Sequence, residues 1–216
     1  MQNLAEDGQN KFDINKVESN DPTVLTEIYN EKVNIAIWKR ELTNNLTNSS
    51  QQLIDIADKI SGTISLTVKP ENACEVLSER LPEFALQNYL IEDISNLIDM
   101  FCCLFDLKQA GMRLAVLDRA MCPRFHIDRV PCRLVTTYSG IATEWLSNND
   151  VNRSLLGIED FPVYDKYTMS IEKLNAGDVG LLKGESWIGN EGFGLLHRSP
   201  YVEANQSRLL LTLDFA

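Results

Sequence analysis

Histidine is almost missing from this chain: only His126 and His197 occur among 216 residues. Any imidazole chemistry must therefore use those two positions. Positive charge is also scarce, with 20 Lys and Arg against 31 Asp and Glu and a net charge of −11. Nucleic acid is not expected as a partner, because neutralising phosphates takes a surplus of cations. No apolar run approaches the roughly 20 residues of a membrane helix, so no membrane partner is expected. The opening stretch, MQNLAEDGQNKFD, lacks the basic start and apolar core of a secretion signal. A cytoplasmic location is expected. Cys-x-x-Cys is absent too. The five cysteines (Cys74, Cys102, Cys103, Cys122, Cys132) are odd in number and irregularly spaced, which speaks against a disulfide framework and fits a reducing compartment.

What is present is ordinary for a globular chain: 44% hydrophobic and 24% charged residues, with length enough for a full core. Residues 1–20 are polar and read as a loose tail. Asp21-Pro22 reads as a helix N-cap followed by proline at the first helical position. Asn34–Arg40 suits a short strand. A helix is predicted after Asn48-Ser49-Ser50, with an apolar stripe from Leu53 to Ile60 and Gly62 as its stop. Thr63–Val68 is β-rich. Helices are then predicted over about 71–80 and 84–107, the second strongly apolar. Cys102 and Cys103 lie inside it and read as packing residues.

After Gly111 the character changes to short β-like runs separated by turns: 112–117, 124–128, 133–138, 167–174, 179–182, 194–198 and 208–215. Seven or eight short strands over this length suit a sandwich or jelly roll. The predicted class is α+β: a helical N-terminal half, residues 21–110, packed on a C-terminal double-stranded β-helix of the cupin-like jelly-roll kind, residues 111–216, the two forming one compact unit.

Both histidines fall in the β-rich half. His126 and Asp128 are two apart, so on an extended segment their side chains point the same way. His197 is the one other imidazole available. Two imidazoles and a carboxylate on one face of a metal leave positions open for other ligands, the arrangement of mononuclear iron(II) oxygenases. Arg208 stands eleven residues after His197. Its planar fork suits a carboxylate in a way lysine does not. Thr136, Thr137 and Tyr138 lie on the next predicted strand, where a hydroxyl could reach a bound carboxylate. Lys183, Glu185 and Trp187 could line a pocket mouth, with Trp145 as an aromatic wall. Cys122 and Cys132 flank the first histidine. They would join it on one face only if the strand were unbroken, and Pro123 and Pro131 interrupt it.

This His-x-Asp…His-x10-Arg pattern resembles the iron(II)/2-oxoglutarate-dependent oxygenase superfamily over about residues 111–216. The resemblance implies Fe(II) held by His126, Asp128 and His197. It implies 2-oxoglutarate as co-substrate, with its far carboxylate on Arg208 and with Tyr138 and Thr136 as further candidates to bind it. AGDVGLLKGES and SRLLLTLDF are similar to strands of that superfamily. Leu210 stands where part of it has a small hydroxylated residue.

More closely, CPRFHIDRVPCRLVTTYSGIATEWL and LLKGESWIGNEGFGLLHRSP resemble a bacterial family known as a domain of unknown function. Its members are linked with zinc-responsive gene clusters that include metal-chaperone GTPases. That resemblance implies an alternative: a non-catalytic metal-binding accessory protein, holding Zn through the same three residues and serving a metal-handling protein partner. The sequence does not name a substrate, small molecule or protein, and it leaves iron and zinc both open.

Overall fold

In the computed structural model, the described residues are 15–57, 62–148, 151, 153 and 171–216. The first fourteen residues of the expected tail, Ile60 of the expected helical stripe and residues 167–170 of one expected strand lie outside them. Asn15–Ser19, within the expected tail, forms a strand, β1. A 3-10 helix follows at Pro22–Tyr29, and Asp21 caps it by accepting from the Thr23 backbone N–H. Then come β2 (Val33–Trp38), α1 (Asn44–Ile56), β3 (Thr63–Val68), α2 (Ala73–Arg80) and α3 (Gln87–Phe105). The C-terminal half holds β4 (Ala110–Leu117), β5 (Cys132–Ser139), β6 (Glu144–Trp145), β7 (Glu172–Lys173), β8 (Val179–Lys183), β9 (His197–Arg198) and β10 (Arg208–Phe215).

Seven strands make one sheet in the order β1-β2-β8-β5-β10-β4-β3, and three make a second, β7-β6-β9. An isolated bridge between His126 and His197 extends the second sheet by one more position. From β4 onward the chain passes back and forth between the sheets, as in a jelly roll. The helical N-terminal half does not stand apart from this framework. Its strands β1, β2 and β3 are outer members of the larger sheet, and only its helices form a separate layer. The start of α1 also differs from expectation: Thr43, not Asn48, supplies the capping side chain, accepting from Leu46 N–H. Asn48, Ser49 and Ser50 fall inside the helix, where Ser50 donates its hydroxyl to the Leu46 carbonyl.

The larger sheet is covered on both faces. On one, α3 contributes Leu90, Ile94, Leu97, Ile98 and Phe101, a stripe at helical spacing. These meet Leu134, Leu209, Leu211 and Leu213 of the sheet. Each such side chain contributes roughly 1.5–3 kcal/mol on burial. On the other face, Val135, Leu182 and Leu210 meet Trp145, Leu174 and Leu195. Alternation along β10 is therefore decisive. Leu209, Leu211 and Leu213 look toward the helices, while Arg208, Leu210, Thr212 and Asp214 look between the sheets.

Candidate metal centre

His126 and His197 lie directly opposite one another on antiparallel chain segments. They exchange both backbone hydrogen bonds, 3.0 Å from His126 N–H to the His197 carbonyl and 3.1 Å in return. Their rings are 4.5 Å apart, centroid to centroid. Asp128, two residues on, brings its carboxylate to both: Oδ2 is 3.2 Å from His197 Nε2 and Oδ1 is 3.7 Å from His126 Nε2. One donor atom from each of the three residues lies within 4.8 Å of the others. No cysteine joins the cluster, so Cys122 and Cys132 are not brought in as ligands. Cys122 lines the neighbouring cavity. Cys132 is fully buried among the residues facing the helices.

Two glycines seat the His-x-Asp segment. A Cβ on Gly184 would run into the Val130 carbonyl oxygen, and one on Gly194 into the Ile127 side chain. With both absent, the backbone of residues 184–185 closes on the segment. Gly184 N–H donates to Pro131 O at 2.8 Å and Glu185 N–H to Asp128 O at 2.9 Å.

The donor set fits a divalent metal. Each histidine places Nδ1 against the carbonyl two residues before it, His126 to Arg124 at 3.1 Å and His197 to Leu195 at 3.2 Å. Protonation at Nδ1 for those contacts leaves both Nε2 lone pairs aimed at the cluster, the usual orientation of metal-binding imidazoles. Asp128 Oδ2 is buried and accepts no well-directed hydrogen bond. Burial alone would raise the Asp128 carboxyl, but His197, Arg133 and His126 together hold it below the ordinary carboxylate range. Burial, then the neighbouring His197, lowers the His126 imidazole, which favours the neutral form a metal needs.

Beside the cluster is a cavity of about 150 Å³, whose lining includes His126, His197, Thr143, Ser199 and Arg208. An engineered cavity of about that volume takes benzene, so this one suits a small molecule. Arg208 is 0% exposed. Among the described residues its guanidinium donates to hydroxyls alone: Ser199 at 3.0 Å, Thr137 at 3.1 Å and Thr143 at 3.4 Å. Nε has no partner. Among the described residues no carboxylate pairs with it, and burial pushes its pKa down to about 10. It still carries its charge at neutral pH, at a cost on the order of 3 kcal/mol. A buried cation without a counter-charge is a site for an anion.

Tyr138 and Thr136 are not brought to this place, and their expected role is corrected. β5 turns Arg133, Val135 and Thr137 toward the cavity, so the even-numbered residues face the helices. The Tyr138 hydroxyl donates to Asp93 at 2.6 Å, and the same carboxylate takes Arg40 through two bonds of 2.7 and 2.9 Å. Lys183 is likewise buried toward the helices, 4.9 Å from the Trp187 ring centroid, rather than at a pocket mouth. Trp145 is buried between the sheets, paired across the strands with His197.

Residues the sequence reading missed are Ser199, Thr143, Arg133 and Asp214. Ser199 follows His197 by two and so shares its face. Arg133 reaches Asp128 Oδ2 with Nη1 at 2.8 Å and grips Asp214 through Nε and Nη2, each at 2.8 Å.

A family model described as "Protein of unknown function (DUF1826)" matches residues 19–214. The chain belongs to that family. Sequence comparison with curated proteins finds no match. Among solved structures, the DUF1826 chain is similar to the auxin-oxidising dioxygenase 1 of Arabidopsis thaliana bound to 2-oxoglutarate. The TM-score is 0.52 at 10% identity, covering 94% of this chain and 92% of that one. It is similar to a full-length Neurospora crassa protein in complex with alpha-KG, with TM-score 0.51 and 11% identity over 96% and 85% of the two chains. A prolyl-4-hydroxylase of Pseudomonas putida gives TM-score 0.50 and 11% identity over 89% and 97%. At such identities the likeness shows the fold, an oxygenase-like one. No helix among the described residues is long and apolar enough to cross a membrane.

Proposed function

We propose that this DUF1826 protein is a non-haem iron(II) oxygenase that uses 2-oxoglutarate. The observation that carries the reading is Arg208. A fully buried guanidinium with hydroxyl partners alone shares one small cavity with a His-Asp-His donor cluster. A metal cluster by itself would serve zinc as well, through three ligands and a water. The cation beside it calls for a second, anionic ligand, and the similar Arabidopsis and Neurospora structures hold 2-oxoglutarate and alpha-KG.

In this reading His126, Asp128 and His197 hold the metal. Arg208 would take the carboxylate remote from it, through the guanidinium hydrogens that Ser199, Thr137 and Thr143 leave free. Ser199, Thr137 and Thr143 fix the plane of that guanidinium before the ligand arrives, so little ordering remains to be done on binding. Leu182, Leu210 and Val135 give the cavity an apolar wall that limits water. When bound, iron with 2-oxoglutarate and dioxygen supplies oxidation of a substrate C–H bond, coupled to decarboxylation of the co-substrate to succinate.

The test is anaerobic titration of metal-free protein with iron(II) and then 2-oxoglutarate, followed by visible absorption. A metal-to-ligand charge-transfer band in the wild type that is lost in His197→Ala supports the proposal. Tight zinc binding with no band on adding iron and 2-oxoglutarate would instead favour a metal-handling accessory role.

A further inference from the structure

The carboxylate of the candidate centre is not left to find its own orientation. Arg133 stands on β5 and Asp214 opposite it on β10, where the ladder pairs Leu134 with Leu213. The guanidinium makes a two-point contact with Asp214, Nε to Oδ1 and Nη2 to Oδ2, both 2.8 Å. Its remaining corner, Nη1, lies 2.8 Å from Asp128 Oδ2. The strands are already joined by backbone bonds, so the bridge is not needed to hold the sheet together. All three side chains are substantially shielded, with side-chain exposures of 13% for Asp128, 26% for Arg133 and 27% for Asp214.

We propose that Arg133, anchored by Asp214, is a positioning residue that holds the Asp128 carboxylate toward the two imidazoles and thereby sets the affinity of the centre for a divalent metal. The inference rests on the metal-binding part of the proposed function and not on its co-substrate. Asp128 sits on the irregular stretch between β4 and β5, which pairs with the second sheet through the isolated bridge at His126. Its backbone is fixed by Glu185, but rotation of the carboxylate is free unless something grips it. Arg133 restrains it from a rigid strand through the 2.8 Å ion pair, an electrostatic contact rather than a well-directed hydrogen bond, and Asp214 fixes the guanidinium plane in turn.

The sign of the effect separates positioning from mere proximity of charge. A guanidinium next to a ligand carboxylate repels an incoming divalent cation. If charge alone mattered, Arg133→Gln would tighten metal binding and Arg133→Lys would leave it unchanged. If Arg133 acts by positioning, both variants weaken binding, because neither side chain can span Asp214 and Asp128 with a fixed fork.

The experiment uses the full chain stripped of metal. Zinc(II) affinity is measured by calorimetry, and cobalt(II) binding by visible absorption. The expected result is a loss of roughly 10–100-fold in affinity for both variants, the range typical of outer-shell partners, with an altered cobalt spectrum. Equal or tighter binding in Arg133→Gln would overturn the inference. Should that variant fail to fold, wild-type affinity in Arg133→Lys would overturn it equally. A wild type that binds zinc but shows no response to 2-oxoglutarate would remove the oxygenase reading and leave this inference standing. A wild type that binds no metal would remove both.

Discussion

His126 and His197 are directly opposed across an antiparallel bridge, each donating its backbone N–H to the other's carbonyl. The two imidazoles are therefore set by the backbone itself, 71 positions apart in the chain, with no help from a long ladder. Gly184 and Glu185 hold the segment after His126, and pairing with β6 holds the segment of His197.

His126→Ala and His197→Ala should each weaken metal binding by more than the roughly 10–100-fold expected on losing an outer-shell partner. The backbone bridge does not use the side chains, so the fold should persist. Zinc(II) titration alongside circular dichroism checks both halves of the expectation.

Arg208→Met should make the metal-free protein more stable, by about 1–3 kcal/mol, because it removes a buried charge that no carboxylate among the described residues offsets. Urea unfolding checks this. A large loss of stability would mean that the three hydroxyl contacts outweigh the cost of burying the charge.

Gly184→Ala should destabilise the protein by about 1–3 kcal/mol. The added methyl meets a backbone oxygen, that of Val130, and a carbonyl in the His-x-Asp loop can yield only by moving the loop. Metal affinity should fall with stability, whereas Gly192→Ala, at a position with open space but a positive φ, should cost stability without affecting the metal.

Lys183 provides a pH signature. Burial pushes its pKa from 10.5 down to about 8 in the folded protein, with Asn30 O at 3.0 Å as its hydrogen-bond acceptor. Between those values the unfolded chain binds the proton and the folded chain does not, so stability from this group rises with pH from about 8 to 10.5. Comparing wild type with Lys183→Met by urea unfolding across that range should show the gap between them narrowing toward high pH. A constant gap would contradict the shift.

The grouping of His126, Asp128 and His197 is legible in the sequence because the inventory of histidines is so small. With two imidazoles in all, and an aspartate two residues from one of them, few other ligand sets can be drawn. Arg208 is singled out in the sequence by its spacing, eleven residues after His197. The face of β5 is not. Alternation of polar and apolar residues normally marks which side of a strand is buried, but β5 is covered on both faces, and its central residues from Leu134 to Tyr138 are all buried. The sequence therefore offers Thr136, Thr137 and Tyr138 alike, whereas Arg133 and Val135 line the cavity and only Thr137 of the three reaches Arg208. β1 escapes notice for a related reason: NKVES is polar, as edge strands often are, and its partner β2 follows only after a 3-10 turn. The need for glycine at 184 and 194 is not legible, because it comes from tertiary packing: a Cβ there would meet the Val130 carbonyl or the Ile127 side chain.

The most direct test of the account is the affinity of 2-oxoglutarate for wild type and Arg208→Met, each loaded with redox-inert zinc(II) and measured by calorimetry. The expected result is saturable one-to-one binding to the wild type and a loss of about 100-fold or more in the variant, as follows from leaving a buried carboxylate without its cation. Equal affinity in the two proteins, or no binding to either, would contradict the claim that Arg208 and the His126–Asp128–His197 cluster together form a 2-oxoglutarate site.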